Sequence, residues 1–186
     1  MDVHYAVSFN DVSSTITIPA YKDNTFSLGW VNLGVRHEGS NYGAQANLVF
    51  GPKSHEFFET SFYTNEESPF NYIRDAFVYF KPTEKLTLNA GLFQNFYSYE
   101  WDDVYLNNNY SHGYIYTVAS QGFAGAKADY VFNDKWNATL GVFTNLYQRE
   151  ETDSDKLIAL NVNYTGDLFE GGLSLLRGAE PDGITH

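Results

Sequence analysis

The sequence predicts an all-β fold: an antiparallel up-and-down transmembrane β-barrel of about 8–10 strands, with residues 1–186 as a single domain. Three observations support this prediction. Apolar and polar residues alternate with a period of two over most of the chain, which is the strand signature. The connections alternate between short turns and long polar loops. Aromatic residues lie at the ends of the apolar faces, beside the short turns.

Nine segments carry the strand pattern. Seven of them alternate regularly, with Ala, Leu and Val on one face and Asn, Thr, Gly, Gln and a few charges on the other. The segments 26–37 and 72–81 are less regular. In chain order, the predicted strands are 3–9, 26–37, 42–50, 72–81, 86–93, 124–132, 136–143, 158–164 and 169–176.

The connections between these strands differ in length and chemistry. The short ones have turn composition, and the long ones are rich in Asn, Ser, Asp, Glu and Tyr. The short connections are 38–41, 82–85, 133–135 and 165–167. The long ones are 11–24, 52–71, 98–120 and 148–155. Short turns at one end and long loops at the other are typical of outer-membrane barrels.

The polarity of the alternation favours a membrane barrel over a soluble sheet. A soluble sheet packs large apolar residues in a core and exposes its charged face to water. Here the apolar face is modest in size, and the polar face resembles the wall of a water-filled lumen. An aromatic girdle is predicted from Phe80, Tyr130, Phe132, Trp136, Tyr164 and Phe169. The alternative is a soluble barrel or sandwich with aromatic residues packed at its base.

An internal repeat supports the assignment of the two faces. The segments 85–97 and 135–147 are identical at five of thirteen positions. The five positions are Lys85/Lys135, Gly91/Gly141, Phe93/Phe143, Asn95/Asn145 and Tyr97/Tyr147. All five lie at inward-facing positions. This is expected if the outward face meets lipid, because any apolar residue is suitable there and identities need not be kept. Chance similarity between strands of like composition is the alternative.

The inward parity defines a set of predicted pore-lining residues, most of them amides, hydroxyls or charges. These are Arg36, Gln45, Asn47, Asp75, Asn89, Phe93, Asn95, Lys127, Asp129, Asn137, Thr139, Phe143, Asn145, Asn161 and Asn163.

The charge and composition exclude several functions. The chain has 23 Asp and Glu against 11 Lys and Arg, a net charge of −12, which argues against nucleic-acid binding. Much of the acidic excess lies in the loops, including a predicted loop mouth of Glu150, Glu151, Asp153 and Asp155. There is no Cys, the five His residues are dispersed, and no catalytic or nucleotide-binding motif occurs. We therefore expect no metal, no cofactor and no enzymatic activity.

Several segments resemble a known family. HYAVSFND (4–11), a loop and NTFSLGWVNLGVRHEG (24–39) resemble the start of the OmpL-like β-barrel porins of bacterial outer membranes. The segments 73–93 and 122–148 resemble the central hairpins of that family. The resemblance implies a pore-forming barrel in the outer membrane of a Gram-negative bacterium, with the lipid bilayer (or detergent) and small solutes as its partners. It implies no catalytic residues.

Three explanations remain open for the predicted strand count of nine, since single-chain bacterial barrels have even counts. The predicted C-terminus also lacks the usual final strand with a terminal aromatic. The three explanations are a fragment of a longer barrel, an eight-stranded barrel, and one protomer of a barrel shared between chains. The oligomeric state is open.

Three functions also remain open. The first is a passive channel for small hydrophilic solutes, weakly cation-selective if open. The second is a non-conducting structural or adhesive barrel whose loops bind a partner or glycan, plugged by inward rings such as Phe77 and Tyr79. The third is a soluble carbohydrate-binding β-domain that uses Trp101, Tyr105 and Tyr110 for stacking.

Overall fold

The computed structural model describes ten β-strands within residues 3–6, 25–29, 31–51, 54, 72–97, 100–101, 106–108, 122–144 and 156–178. The strands are β1 (Val3–Ala6), β2 (Thr25–Leu28), β3 (Val31–Glu38), β4 (Tyr42–Phe50), β5 (Ile73–Thr83), β6 (Leu86–Gln94), β7 (Gly122–Val131), β8 (Trp136–Phe143), β9 (Leu157–Thr165) and β10 (Glu170–Arg177). Among these residues, no helix is long and apolar enough to cross a membrane.

Strands β3 to β10 form one antiparallel sheet in which every strand pairs with its neighbours in sequence. This is the up-and-down order that the alternation and the short turns predict. Strands β1 and β2 pair separately with each other. Within the described residues, the two edge strands β3 and β10 are not paired with each other, so the sheet is not closed.

The count of nine strands is wrong for the described part of the chain, because the predicted strand 26–37 is divided. Its first part is β2, which pairs with β1, and its second part is β3, which pairs with β4. Gly29 lies at the break, and glycine inside a strand pattern weakens the strand and marks a bend. Of the predicted first strand 3–9, only Val3–Ala6 lies among the described residues.

The predicted turn 82–85 is also shorter than expected, since β5 continues to Thr83. The register between β5 and β6 shifts between Phe80 and Thr83, and Pro82 lies in this shift. Proline has no backbone N–H for a ladder, so it is tolerated where the pairing is interrupted. The Thr83 hydroxyl oxygen accepts the backbone N–H of Lys85 at 3.3 Å and of Leu86 at 3.1 Å, which closes the turn.

The strand register divides the sheet into two faces. The outer face carries cross-strand apolar partners such as Leu88, Ala128, Leu140 and Leu160, which lie opposite one another on β6 to β9. The inner face carries the residues between them, mostly amides, hydroxyls, glycines and aromatic rings.

Burial on the two faces is the reverse of that in a soluble sheet. On the outer face, Leu140 is 54% exposed and Val78 is 58% exposed. On the inner face, Asp75 is 1% exposed and Asn161 is 2% exposed. In water, a continuous apolar surface of this kind would far exceed the few hundred Å² that soluble monomers expose. The outer face therefore has the character of a surface that meets lipid.

Aromatic residues border the outer face at the end with the short turns. Trp136 and Tyr164 have ring centroids 4.9 Å apart, and Tyr164 and Phe169 have centroids 4.8 Å apart. On β4, the exposed residues Tyr42 and Phe50 mark opposite ends of the strand. They bound the nine residues of β4, which is close to the about 9–11 residues with which a tilted strand crosses a bilayer. This arrangement agrees with the predicted girdle.

Candidate functional site

The inner face contains a buried carboxylate, that of Asp75, held by carboxamides from two neighbouring strands. Asp75 Oδ1 accepts hydrogen bonds from Gln45 Nε2 at 3.0 Å and from Asn47 Nδ2 at 2.8 Å. Asp75 Oδ2 accepts from Asn47 Nδ2 at 3.0 Å and from Gln94 Nε2 at 2.6 Å. Hydrogen bonds to an ionised acceptor are stronger than neutral ones, and they fix the orientation of each amide group.

A β-bulge positions the positive charge nearest to this cluster. The register between β4 and β5 shifts so that Asn47 pairs with Asp75 and Leu48 pairs with Ile73, which leaves Arg74 as the extra residue. A bulge of this kind redirects a side chain. Arg74 is 5% exposed, and its Nη2 donates to Gln94 Oε1 at 2.9 Å. Arg74 and Asp75 are therefore both buried although they are adjacent in sequence.

A second carboxylate, that of Asp129, organises the middle of the inner face. It accepts hydrogen bonds from Asn89 Nδ2 at 2.8 Å and from Thr139 Oγ1 at 2.6 Å, and it forms an ion pair with Lys127 at 2.9 Å. The Lys127 ammonium also lies 5.4 Å from the ring centroid of Phe93. This cluster carries its own compensating cation, so the inner wall is close to electroneutral here.

The polar surface continues across β8, β9 and β10 through uncharged groups. Asn163 Nδ2 donates to Asn137 Oδ1 at 3.1 Å and also contacts the side chain of Asn161. Asn161 Nδ2 donates to the Ser174 hydroxyl oxygen at 2.7 Å. Buried amides would be costly without these partners.

Aromatic rings form the apolar part of the inner face, near the strand ends that lead into the long connections. Phe123 and Phe143 are 0% and 1% exposed, with ring centroids 4.9 Å apart. Phe93 is 3% exposed and packs edge-on against Phe143 at 6.2 Å. We call these residues, together with Phe77 and Phe96, the aromatic cluster.

Glycines opposite aromatic residues allow this close packing. Phe77 pairs with Gly91, and Phe143 pairs with Gly125. A Cβ at Gly91 would lie 2.7 Å from Phe77 Cα, and Gly91 has a φ of 141°, which other residues rarely adopt. At Gly125, a Cβ would lie 2.7 Å from Phe143 Cα. A Cβ at Gly141, the counterpart of Gly91 in the internal repeat, would meet the ring of Phe143, so both repeat glycines leave room for an inward ring.

A pocket of about 390 Å³ opens on the inner face; we call it the inner-face pocket. Its lining comprises Gln45, Asp75, Phe77, Asn89, Phe93, Gln94, Asn95, Phe96, Trp101, Lys127, Thr139 and Asn163. Gln45 is on β4 and Asn163 on β9, which would be about 24 Å apart in a flat sheet. One pocket bordered by both strands requires the sheet to curl around it, as in a barrel wall.

The structure places most of the predicted pore-lining residues on this one face. Gln45, Asn47 and Asp75 form the first cluster, and Asn89, Lys127, Asp129 and Thr139 form the second. Asn137, Asn161 and Asn163 extend the polar surface, and Phe93 and Phe143 belong to the aromatic cluster.

The remaining predicted residues lie at or beyond the margins of this surface. Arg36, on edge strand β3, is exposed and pairs with Glu38. Asn95 follows β6 and accepts the backbone N–H of Tyr97 through its side-chain oxygen at 2.9 Å. Asn145 and the loop-mouth residues Glu150, Glu151, Asp153 and Asp155 lie outside the described residues.

Sequence periodicity missed several residues of this surface. Arg74 and Gln94 have outward parity, yet the bulge and the strand end bring both to the Asp75 cluster. The signal in the sequence is Arg74 itself, because an arginine at a position predicted to face lipid indicates a departure from the regular alternation. Phe96 and Phe123 were not assigned inward because they lie at or just beyond strand ends, where the period of two gives little information.

A curled, up-and-down antiparallel sheet with an apolar exposed outer face and a polar inner face defines the class of transmembrane β-barrel proteins. The family model of the beta-barrel porin-2 proteins, OmpL-like (BBP2), matches residues 1–176. The chain belongs to this family, as its segments predicted, and membership indicates a porin-like protein of the outer membrane. A search of curated proteins and a search of solved structures gave no match.

Proposed function

We propose that the protein is a passive channel for small hydrophilic solutes in the outer membrane of a Gram-negative bacterium. The observation that carries this proposal is the hydrogen-bonded polar surface of the inner face, which runs from Gln45 on β4 to Ser174 on β10. Such a surface replaces the hydration of a passing solute, whereas the outer face offers only apolar contacts to lipid. The bilayer and the solutes are the partners, and no catalytic role is assigned to any residue.

We further propose weak cation selectivity. The inner wall is nearly balanced, since Lys127 neutralises Asp129 and Arg74 lies beside the Asp75 cluster. The net charge of −12 therefore acts mainly through the loops, including the predicted mouth at 150–155. A negative mouth concentrates cations over about one Debye length, roughly 8 Å at physiological ionic strength.

Reversal potentials in planar bilayers under a salt gradient test this proposal. We expect a modest cation preference that fades as the salt concentration rises. The fourfold variant Glu150→Gln, Glu151→Gln, Asp153→Asn, Asp155→Asn should lose most of that preference while keeping its conductance. An anion preference, or a preference unchanged in the variant, would reject the mouth-charge explanation.

A second candidate function is a non-conducting structural or adhesive barrel. The aromatic cluster favours it, because Phe93, Phe123 and Phe143 are at most 3% exposed and occupy inner-face space that an open channel leaves to water. Bilayer recordings separate the two candidates. A channel gives steps of current, and Phe93→Ser should increase them. Absence of current in both the native protein and this variant would favour the structural barrel.

A further inference from the structure

The inner-face pocket combines a polar and an aromatic surface. Its polar lining consists largely of planar carboxamides and one carboxylate, and its apolar lining consists of aromatic rings. At about 390 Å³ it lies near the lower end of the roughly 300–1,000 Å³ that small-molecule sites occupy. This volume is sufficient for one small hydrophilic molecule.

The carboxamides are held in fixed orientations by the Asp75 hydrogen bonds. Gln45 and Gln94 each donate one amide N–H to Asp75. A carboxamide has a second N–H and a carbonyl oxygen, so each group still has donor and acceptor capacity. Adjacent hydroxyl groups of a ligand both donate and accept, and fixed amide planes match them without further ordering.

Trp101 supplies an aromatic surface that the fold holds in place at the pocket. Trp101 is 56% exposed, so part of its side chain is accessible to a solute. Its backbone is clamped by Asn107, whose Nδ2 donates to the Trp101 carbonyl at 2.8 Å and whose Oδ1 accepts the Trp101 N–H at 2.8 Å. Two reciprocal hydrogen bonds thus hold the Trp101 backbone, and its side chain lines the same pocket as Gln45 and Gln94.

The charged groups near the pocket already have partners. Lys127 pairs with Asp129, and the Asp75 carboxylate is satisfied by three amides, with the Arg74 guanidinium on Gln94. A neutral ligand leaves the Lys127–Asp129 pair and the Asp75 hydrogen bonds in place, whereas an anion or a cation would compete for one of these charged groups.

From this geometry, and resting on the proposed channel function, we propose that the inner-face pocket is a binding site for a neutral mono- or disaccharide on the solute path. The aliphatic C–H face of the sugar ring stacks on the indole of Trp101, because the face of an aromatic ring is negative and attracts such groups. The ring hydroxyls bond to the carboxamides of Gln45 and Gln94, which line the same pocket.

Calorimetric titration of the folded protein in lauryldimethylamine oxide, which has no sugar headgroup, tests the site. Glucose and maltose are the probes. Sorbitol is the control, since it has similar hydroxyls but no rigid ring face. We expect saturable millimolar binding of at least one sugar and weaker binding of sorbitol. Absence of saturable sugar binding, or equal binding of sorbitol, would overturn the proposal.

Two tryptophan variants assign the binding to the pocket. Trp101→Ala should weaken sugar binding by about tenfold, which corresponds to the loss of one stacking contact. Trp136→Phe, in the aromatic girdle on the outer face, should leave it unchanged. If Trp101→Ala does not fold, Trp101→Leu keeps an apolar side chain without the aromatic face and should show the same loss. Equal affinity in the native protein and the position-101 variant would reject the site.

Bilayer currents with glucose or maltose added to one side separate this proposal from the channel itself. If maltose reduces the current through the native protein but not through Trp101→Ala, the sugar binds on the solute path. Conductance without any effect of either glucose or maltose rejects the place of the sugar on the solute path and leaves the channel. Sugar binding without conductance rejects both the channel and the place of the sugar on a solute path.

Discussion

The two faces of the same strands differ in a way that soluble β-sheets do not. On β8, the outer-face residue Leu140 is 54% exposed, while its neighbour Thr139 on the inner face is 8% exposed and hydrogen-bonded to Asp129. At these two positions, the strand buries the polar side chain and exposes the apolar one. The difference indicates that the solvent of the outer face is hydrocarbon, and that hydrogen-bonded polar clusters and the aromatic cluster together stabilise the inner face.

The largest expected effect comes from the aromatic cluster. Phe143→Ala removes a ring that is 1% exposed and should lower the free energy of unfolding by about 3–5 kcal/mol. The matched outer-face variant Val142→Ala loses only lipid contact and should cost about 1 kcal/mol. Urea titrations of both variants, refolded in detergent micelles, measure the difference. Equal losses would mean that residue 143 has no packed environment.

A charge on each face of β8 tests the environment of that face. Leu140→Arg should cost about 2–4 kcal/mol in lipid vesicles, because lipid cannot solvate a guanidinium near mid-membrane. Thr139→Arg should cost only about 1 kcal/mol. The substitution removes the hydrogen bond from the Thr139 hydroxyl to Asp129, but it places the new cation beside that carboxylate. If the outer face met water instead, Leu140→Arg would be nearly neutral, and that result would contradict the lipid assignment.

Glycine substitutions provide the smallest contrast. Gly91→Ala places a Cβ against Phe77 at a φ of 141°, and should destabilise the protein by about 1–3 kcal/mol. Gly171→Ala is the control, because no atom lies within 4 Å of the added Cβ. It should change stability by less than about 0.5 kcal/mol. Thermal unfolding in detergent measures both. A tolerated Gly91→Ala would contradict the close approach of β5 and β6.

Periodicity predicted the regular strands and their inward residues because a period of two depends only on neighbours in sequence. The residues from Leu86 to Phe143 on β6, β7 and β8 follow it closely. It failed where the backbone departs from a regular ladder. Gly29 divides a predicted strand, and the bulge at Arg74 reverses the parity of one residue.

The inner-face pocket could be predicted only in part. The inward amides were identified from parity, but which of them meet depends on pairings between strands that lie about 30 residues apart in sequence, such as Asn47 with Asp75. Gln94 donates to the Asp75 carboxylate although it has outward parity, because it is the last residue of β6. Neither feature has a local signal, since both arise from how the sheet curls.

Site-directed spin labelling of β9 tests the two-face account most directly. The native chain has no Cys, so each introduced cysteine gives a single label. Six single-cysteine variants replace, in turn, Ile158, Ala159, Leu160, Asn161, Val162 and Asn163. In lipid vesicles, labels at 158, 160 and 162 should be accessible to oxygen, which concentrates in lipid, and protected from a water-soluble nickel complex. Labels at 159, 161 and 163 should not show this pattern. Loss of the period of two, or greater nickel accessibility at 158, 160 and 162, would contradict the claim that the outer face meets lipid.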